Sequence, residues 1–383
     1  MSSHNKEKSK TLISWQRHWM NGLVCNYPKF WKTLGDFESK VLEFDLEEIK
    51  INQPVYVCGL ARSGSTILLE ILAEQPTFTA HKYSDFPFVF TPYLWRMIQK
   101  IMSLGRLQGK SEKKQERFHG DGLLISSNSP EAMEEVLWMH FFTQSHDTLH
   151  SAALGADLDE AHLVKDGVTK PGFTAFYTDH IKKLLLASKA PRYLAKANYN
   201  ITRIEYILNM LPSAKFIVPV RAPEAHVESL LRQHQNFLQQ TKGQKRALKH
   251  LSRVGHFEFG ADLRPICLEN DAAYQNILTL FEAGELLRGY ARYWAYIYGY
   301  VYRQYKTNSS VYCYKYEDFC ENTSAILREV TDFINLPCDQ DMLEKWSDKV
   351  AAPRYYESQL SAGDKAIIEE ETAAVAALWG YKL

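Results

Sequence analysis

The stretch PVYVCGLARSGSTILLEIL, residues 54–72, changes character twice. Val55, Tyr56, Val57 and Cys58 form a short apolar run of the length of a buried strand. Gly59 to Thr66 follows as a glycine-bearing loop, and Ile67 to Leu72 carries a helical pattern that stops near Pro76. Strand, glycine loop and helix in that order open a βαβ unit. From Gly59 to Gly64, Ser65 and Thr66 the loop has the spacing GxxxxGK[ST], with Ser65 in the place of the lysine. Gly64 permits close backbone approach, and the start of the following helix offers N–H groups and roughly half a positive charge to an anion. The absent lysine is informative, because nucleotidases use it together with Mg²⁺ on the β- and γ-phosphates. Arg62 stands inside the loop instead, where a guanidinium can clamp an anionic oxygen with two bonds. The loop is therefore shaped for one phosphate-like group; the plainer reading is a Gly-Ser turn before a buried helix.

A second unit lies farther along. Arg192 to Ala195 is a strand candidate, Ile201 to Leu211 a helix stopped by Pro212, Lys215 to Val220 (KFIVPV) a strand, and His226 to Leu238 the next helix. Pro219 is awkward in a central strand and tolerable only near its end. Open α/β sheets bind ligands at the carboxyl ends of their strands, so Arg221, with Ser229 two helical turns on, makes a second anion pocket. Residues 280–306 read as a long aromatic helix, Val311 to Tyr316 as a strand, and Asn322 to Ile334 and 364–379 as helices. Pro130 to His140 reads as an amphipathic helix, and 105–120 and 239–265 as basic, poorly periodic loops. Strands alternating with helices give the expected fold class: α/β, a P-loop NTPase-like parallel sheet flanked by helices, with helical insertions. The expected organisation is an N-terminal helical extension over 1–50 and a single domain over 51–383 with an insert at about 95–185.

ARSGST at 61–66 and VRAPEAHVES at 220–229 together resemble the two signatures with which sulfotransferases bind 3'-phosphoadenosine 5'-phosphosulfate (PAPS). The similarity extends through Arg192 to Ser229, Tyr312 to Phe333 (with its YEDF), and the closing Leu378-Trp379-Gly380-Tyr381, while 95–185 matches no signature. The resemblance implies that Arg62, Ser63, Gly64, Ser65 and Thr66 hold the 5'-phosphosulfate, that Arg221 and Ser229 hold the 3'-phosphate, and that no metal takes part. Two separated anion sites suit a nucleotide with two separated anionic groups.

Sulfuryl transfer needs a base for the acceptor's proton and a cation for the leaving phosphate. Relatives that act on hydroxyls use a carboxylate or a histidine, in some cases a Glu just over twenty residues beyond the loop arginine. Here that neighbourhood is HKYSDFPF, residues 81–88, so Asp85 is the candidate base, against the plain reading of a turn aspartate. His119, beside Asp121 in RFHGDG, is the rival, and His81 a third choice. Lys196 in KANYN is the candidate cation, with Asn198 to orient it, against a solvated surface lysine. His256 and Glu258 in GHFEFG belong to a stretch that either closes over the nucleotide or is a solvated loop. His140 and His146 have a loose spacing that reads as structural.

The balance of 45 Lys and Arg against 45 Asp and Glu argues against a nucleic-acid binder and puts any anion binding down to local arrangement. The six cysteines form no CxxC pair and read as free thiols of a reducing compartment. The N-terminus is polar and no run of roughly 18 uncharged apolar residues occurs, so a cytoplasmic chain without a membrane span is expected. The acceptor, a hydroxyl or amine of a small molecule or glycan, stays unidentified. The rival readings are a P-loop phosphotransferase and a non-catalytic nucleotide-binding protein on the same scaffold.

Overall fold

The structure, a computed structural model, describes residues 13–104, 115–116, 124–142, 171–269, 271–350 and 358–382. Its strands are β1 (Val55–Val57), β2 (Phe78–Thr79), β3 (Gln115–Glu116), β4 (Leu124–Ile125), β5 (Arg192–Lys196), β6 (Lys215–Val220) and β7 (Val311–Lys315). Five of them form one sheet in the order β2-β5-β1-β6-β7, every neighbouring pair parallel, and β3 and β4 make a small antiparallel ribbon. The expected α/β class with a parallel sheet flanked by helices is thus what the chain adopts.

The N-terminal helices are α1 (Trp15–Cys25), α2 (Pro28–Val41) and α3 (Glu43–Glu48). The sheet crossovers and edges are built from α4 (Ser65–Ala73), α5 (Pro92–Leu104), α6 (Glu135–Phe142), α7 (Pro171–Ser188), α8 (Ile204–Met210), α9 (Pro223–Thr241) and α10 (Lys245–Arg253). The C-terminal half adds α11 (Ala272–Glu282), α12 (Leu286–Tyr305), α13 (Tyr316–Glu321), α14 (Thr323–Phe333), α15 (Gln340–Ser347) and α16 (Ala362–Leu378).

The central strands β1, β5 and β6 have two buried faces, as parallel sheets require. On one face Tyr56, Tyr193, Phe216 and Val218 meet Trp138 of α6, Phe173 and Tyr177 of α7, and Trp294 of α12. On the other, Val55, Val57, Leu194 and Ile217 meet Leu68, Leu69 and Leu72 of α4 and Leu327 and Val330 of α14. Residues one apart in β1 therefore serve different cores, which follows from the period of two along a strand.

Several elements depart from the sequence reading for physical reasons. The helix expected from Pro130 begins only at Glu135, because Glu131 N–H donates to the His81 carbonyl at 2.9 Å and Pro130 bridges Lys82, which holds 130–131 extended. The basic stretch 239–265 contains a real helix, α10, seated by the buried Ala247. The long aromatic helix expected from 280 begins at Leu286, because 280–282 end α11 and Gly284, with φ +79°, turns the chain between the two. Pro219 lies inside β6, but β1 pairs with β6 only as far as Ile217, so no ladder bond is lost on that side.

Candidate functional site

The carboxyl ends of β1, β5, β6 and β7 lie along one edge of the sheet, because the registers set Val57 beside both Lys196 and Ile217, and Val220 beside Lys315. At this edge the chain leaves β1 through three positive φ values: Gly59 at +145°, Arg62 at +70° and Gly64 at +94°. Arginine pays a steric cost in the left-handed region that glycine does not. Neighbours from β6 and α9 hold the loop in place: Arg221 Nη1 donates to the Arg62 carbonyl at 3.1 Å, and His226 Nε2 donates to the Ala61 carbonyl at 2.8 Å. Arg62 Nε in turn donates to Ser229 Oγ at 3.3 Å. Gly64 is required twice over, by its φ and because a Cβ there would lie 2.4 Å from the Tyr316 ring. α4 starts immediately after, without a side-chain cap.

Arg62 and, 159 and 167 residues on, Arg221 and Ser229, all three singled out in the sequence, are thus one knot. The knot is cationic. Burial first, then Arg221 and Arg62, push His226 down to about 3, so its imidazole is neutral and carries its hydrogen on Nε2. The Arg221 guanidinium lies over the Tyr316 ring, 5.3 Å from its centroid. Two guanidiniums, a serine hydroxyl and two helix starts form a donor set with the chemistry of an anion site.

The end of β6 is stapled from behind. Tyr298 donates to the Pro219 carbonyl at 3.2 Å and Trp294 Nε1 to the Arg221 carbonyl at 3.1 Å. The Tyr381 hydroxyl donates to Glu317 at 2.7 Å and lies 3.0 Å from the Val220 carbonyl, while the other Glu317 oxygen accepts from Ala222 N–H at 3.0 Å. These supporting residues were missed in the sequence, except for the Trp379–Tyr381 ending and the YED stretch as bare motifs.

A second cluster sits where β5 ends. Asn198 Nδ2 donates to Glu258 Oε1 at 2.8 Å, and His256 Nδ1 donates to Glu258 Oε2 at 3.0 Å. Burial works against the charge on His256, but Glu258 and Glu131 outweigh it and hold the imidazole above its usual pKa. Burial likewise opposes the Glu258 charge, yet His256 and Lys196 bring it to about 2. Glu131 is also held below the ordinary range against its burial, by Lys196, the Tyr83 hydroxyl and His256. Lys196 therefore touches three ionisable neighbours electrostatically. The 255–258 turn is anchored by Tyr199, whose hydroxyl donates to the Gly255 carbonyl at 2.9 Å and accepts from Phe257 N–H at 3.2 Å.

Asp85 lies apart from this cluster, buried after β2. Its carboxylate takes Arg96 at 2.9 Å, the Lys82 N–H at 3.0 Å and His81 Nδ1 at 3.2 Å. Burial raises its pKa, and His81 and Arg96 overcome that and depress it far below the usual range. His81 continues the chain to His180, Nε2 to Nε2 at 2.9 Å. His119, Asp121 and His146 lie outside the described residues.

Residues 54–258 match the sequence model of the sulfotransferase family. Among solved structures, the chain is similar to a sulfotransferase from Mycobacterium tuberculosis H37Rv at 13% identity, with a TM-score of 0.49 over 95% of this chain and 85% of that one. It is similar to a sulfotransferase from Mycobacterium avium at 12% identity, with a TM-score of 0.46 over 96% of this chain and 83% of that one. No curated protein sequence gives a significant match.

Proposed function

The chain belongs to the sulfotransferase family, and on that premise we propose that it transfers a sulfuryl group from PAPS to a hydroxyl of a small-molecule or glycan acceptor. The observation that carries this reading is the Arg62–Ser229–Arg221 knot at the carboxyl edge of the sheet, beside the lysine-free glycine loop. In the proposal, Ser63, Gly64, Ser65 and Thr66 hold the 5'-phosphosulfate at the start of α4. Arg221 and Ser229 hold the 3'-phosphate, and Arg62, which reaches Ser229 from the loop, serves the boundary between the two. Bound PAPS supplies an activated sulfuryl group on a phosphate leaving group.

The chain's own residues then have distinct tasks. Glu258 fixes the His256 ring by accepting from Nδ1, which turns Nε2 toward the acceptor to take its proton. Lys196 provides positive charge where the leaving phosphate gains negative charge. Asn198 keeps Glu258 in place. We assign the base to His256 rather than Asp85, because the Asp85 carboxylate is saturated by Arg96, His81 and a backbone N–H.

Calorimetry with adenosine 3',5'-bisphosphate tests the nucleotide site. Each charge-assisted bond contributes about 1.5–3 kcal/mol, so Arg62→Ala and Arg221→Ala are each expected to weaken binding roughly 10- to 100-fold. Unchanged affinity in both variants removes the nucleotide assignment. Transfer from radiolabelled PAPS across a panel of hydroxyl acceptors tests the reaction itself.

A further inference from the structure

The N-terminal helices and α5 form a connected layer. Trp31 of α2 donates from Nε1 to the Leu23 carbonyl of α1 at 3.2 Å. Glu38 of α2 accepts from the Leu94 N–H of α5 at 2.6 Å, and Asn21 of α1 meets His250 of α10 at 3.0 Å. The inner surface of the layer is core; Gly35 of α2, for example, is pressed against Phe90 and Phe176. The outer surface is different. Trp15, Trp19 and Leu23 recur at i, i+4 and i+8 on α1, Phe30, Phe37 and Val41 run down α2, and Leu94, Ile98 and Ile101 run down α5. Trp15 and Phe30 are each 62% exposed, and Ile101 is 65% exposed.

Scattered apolar side chains on a surface need no explanation, but contiguous stripes of large rings mark an interaction face. Charge narrows the partner. α1, α2, α5 and α10 carry ten Lys and Arg and only Asp36 and Glu38 as carboxylates, in a chain whose total charge is zero; Arg96 faces inward to Asp85 at 2.9 Å and Lys32 is paired with Asp36, which leaves eight cations. Glu38 faces inward to Lys183 at 3.2 Å. α3 is acidic, and its exposed Phe44 is set among carboxylates of the wrong sign for an anionic partner. Indole and phenyl rings flanked by lysine and arginine are the composition of a helix lying in the headgroup region of a membrane. No described helix is long and apolar enough to cross one.

We propose that the outer face of α1, α2 and α5 docks the protein on a bilayer surface rich in anionic phospholipid. The rings seat at the headgroup–acyl boundary and the cations, including those of α10, meet lipid phosphates. This docking stands apart from the transfer reaction, and its test reads the two separately.

The full chain is sedimented with vesicles of phosphatidylcholine, alone or mixed with phosphatidylglycerol. Binding to the mixed vesicles is expected, weakening as salt rises. Trp15→Ser with Trp19→Ser is expected to cut that binding about tenfold or more while leaving the circular dichroism spectrum and the affinity for adenosine 3',5'-bisphosphate unchanged. Arg246→Glu with Lys249→Glu is expected to abolish the preference for the anionic vesicles. Failure of the wild-type protein to bind either vesicle overturns the proposal, as does binding that both double variants retain. A dimer seen by light scattering, without vesicle binding and dissociated by the tryptophan substitutions, assigns the face to a second copy and equally overturns it.

Discussion

Asp85 and Glu258 are both held ionised at the sheet's edge, but by partners of different kinds. Asp85 is bound by Arg96, a permanent cation, whereas Glu258 is bound by His256, which titrates. We assign the first pairing a structural role. Asp85→Asn leaves a largely buried guanidinium uncompensated, so a loss of about 3 kcal/mol in thermal denaturation is expected, with transfer by the folded protein retained. The depressed carboxyl favours the folded state above the unfolded pKa, roughly 4, so the gap from wild type narrows as pH falls below that value. A collapse in rate at unchanged stability returns the base role to Asp85. The second pairing is the one to which we assign the chemistry. A base must be deprotonated, so the transfer rate is expected to rise with pH through a midpoint above the usual imidazole value of about 6.5. Glu258→Gln removes the main stabiliser of the protonated ring and shifts that midpoint downward; a midpoint that stays in place argues against His256.

At the scale of elements, the site is a loop and a strand end braced against each other. The loop carries a strained position at Arg62 and a glycine-only conformation at Gly64, and the turn from β6 into α9 supplies Arg221, His226 and Ser229 from one short stretch to hold it. Gly64→Ala forces a methyl into the Tyr316 ring and an L-residue into a left-handed conformation, for an expected cost of about 2 kcal/mol and a marked loss of nucleotide affinity, read by denaturation and calorimetry. Tyr381→Phe removes a hydroxyl from Glu317 and the Val220 carbonyl, with an expected destabilisation of about 1–2 kcal/mol. Because Glu317 also holds the N–H of Ala222, the N-cap of α9, the same variant is expected to weaken adenosine 3',5'-bisphosphate binding although it never touches the ligand.

For the molecule as a whole, a neutral chain concentrates cations at one sheet edge, and a doubly phosphorylated nucleotide that binds only the folded state must stabilise it. Adenosine 3',5'-bisphosphate at about 100 times its Kd adds about 2.7 kcal/mol. For a chain of 383 residues that is a rise of about 3 °C in Tm, measurable by differential scanning fluorimetry and expected to vanish in Arg221→Ala.

Much of this architecture is local and therefore readable in order. The strand, glycine turn and helix of 54–72, the strand-end Arg221 and the hydroxyl eight residues on are short-range patterns, and the parallel sheet follows from their alternation. The convergence of positions 62, 221 and 229 was foreseeable only as the consequence of that sheet. Other features depend on contacts between distant segments, which no local pattern encodes. The late start of the helix expected over 130–140 comes from a pairing with residues 81–82, and the fate of Asp85 from a guanidinium one element away. His256 and Glu258 read in sequence only as part of a stretch that either closes over the nucleotide or is solvated, until Asn198 and Glu131 were brought to them from two other stretches. Backbone pattern is set by neighbours in sequence, whereas the charge state of a side chain is set by neighbours in space, and for these groups only the folded chain decides.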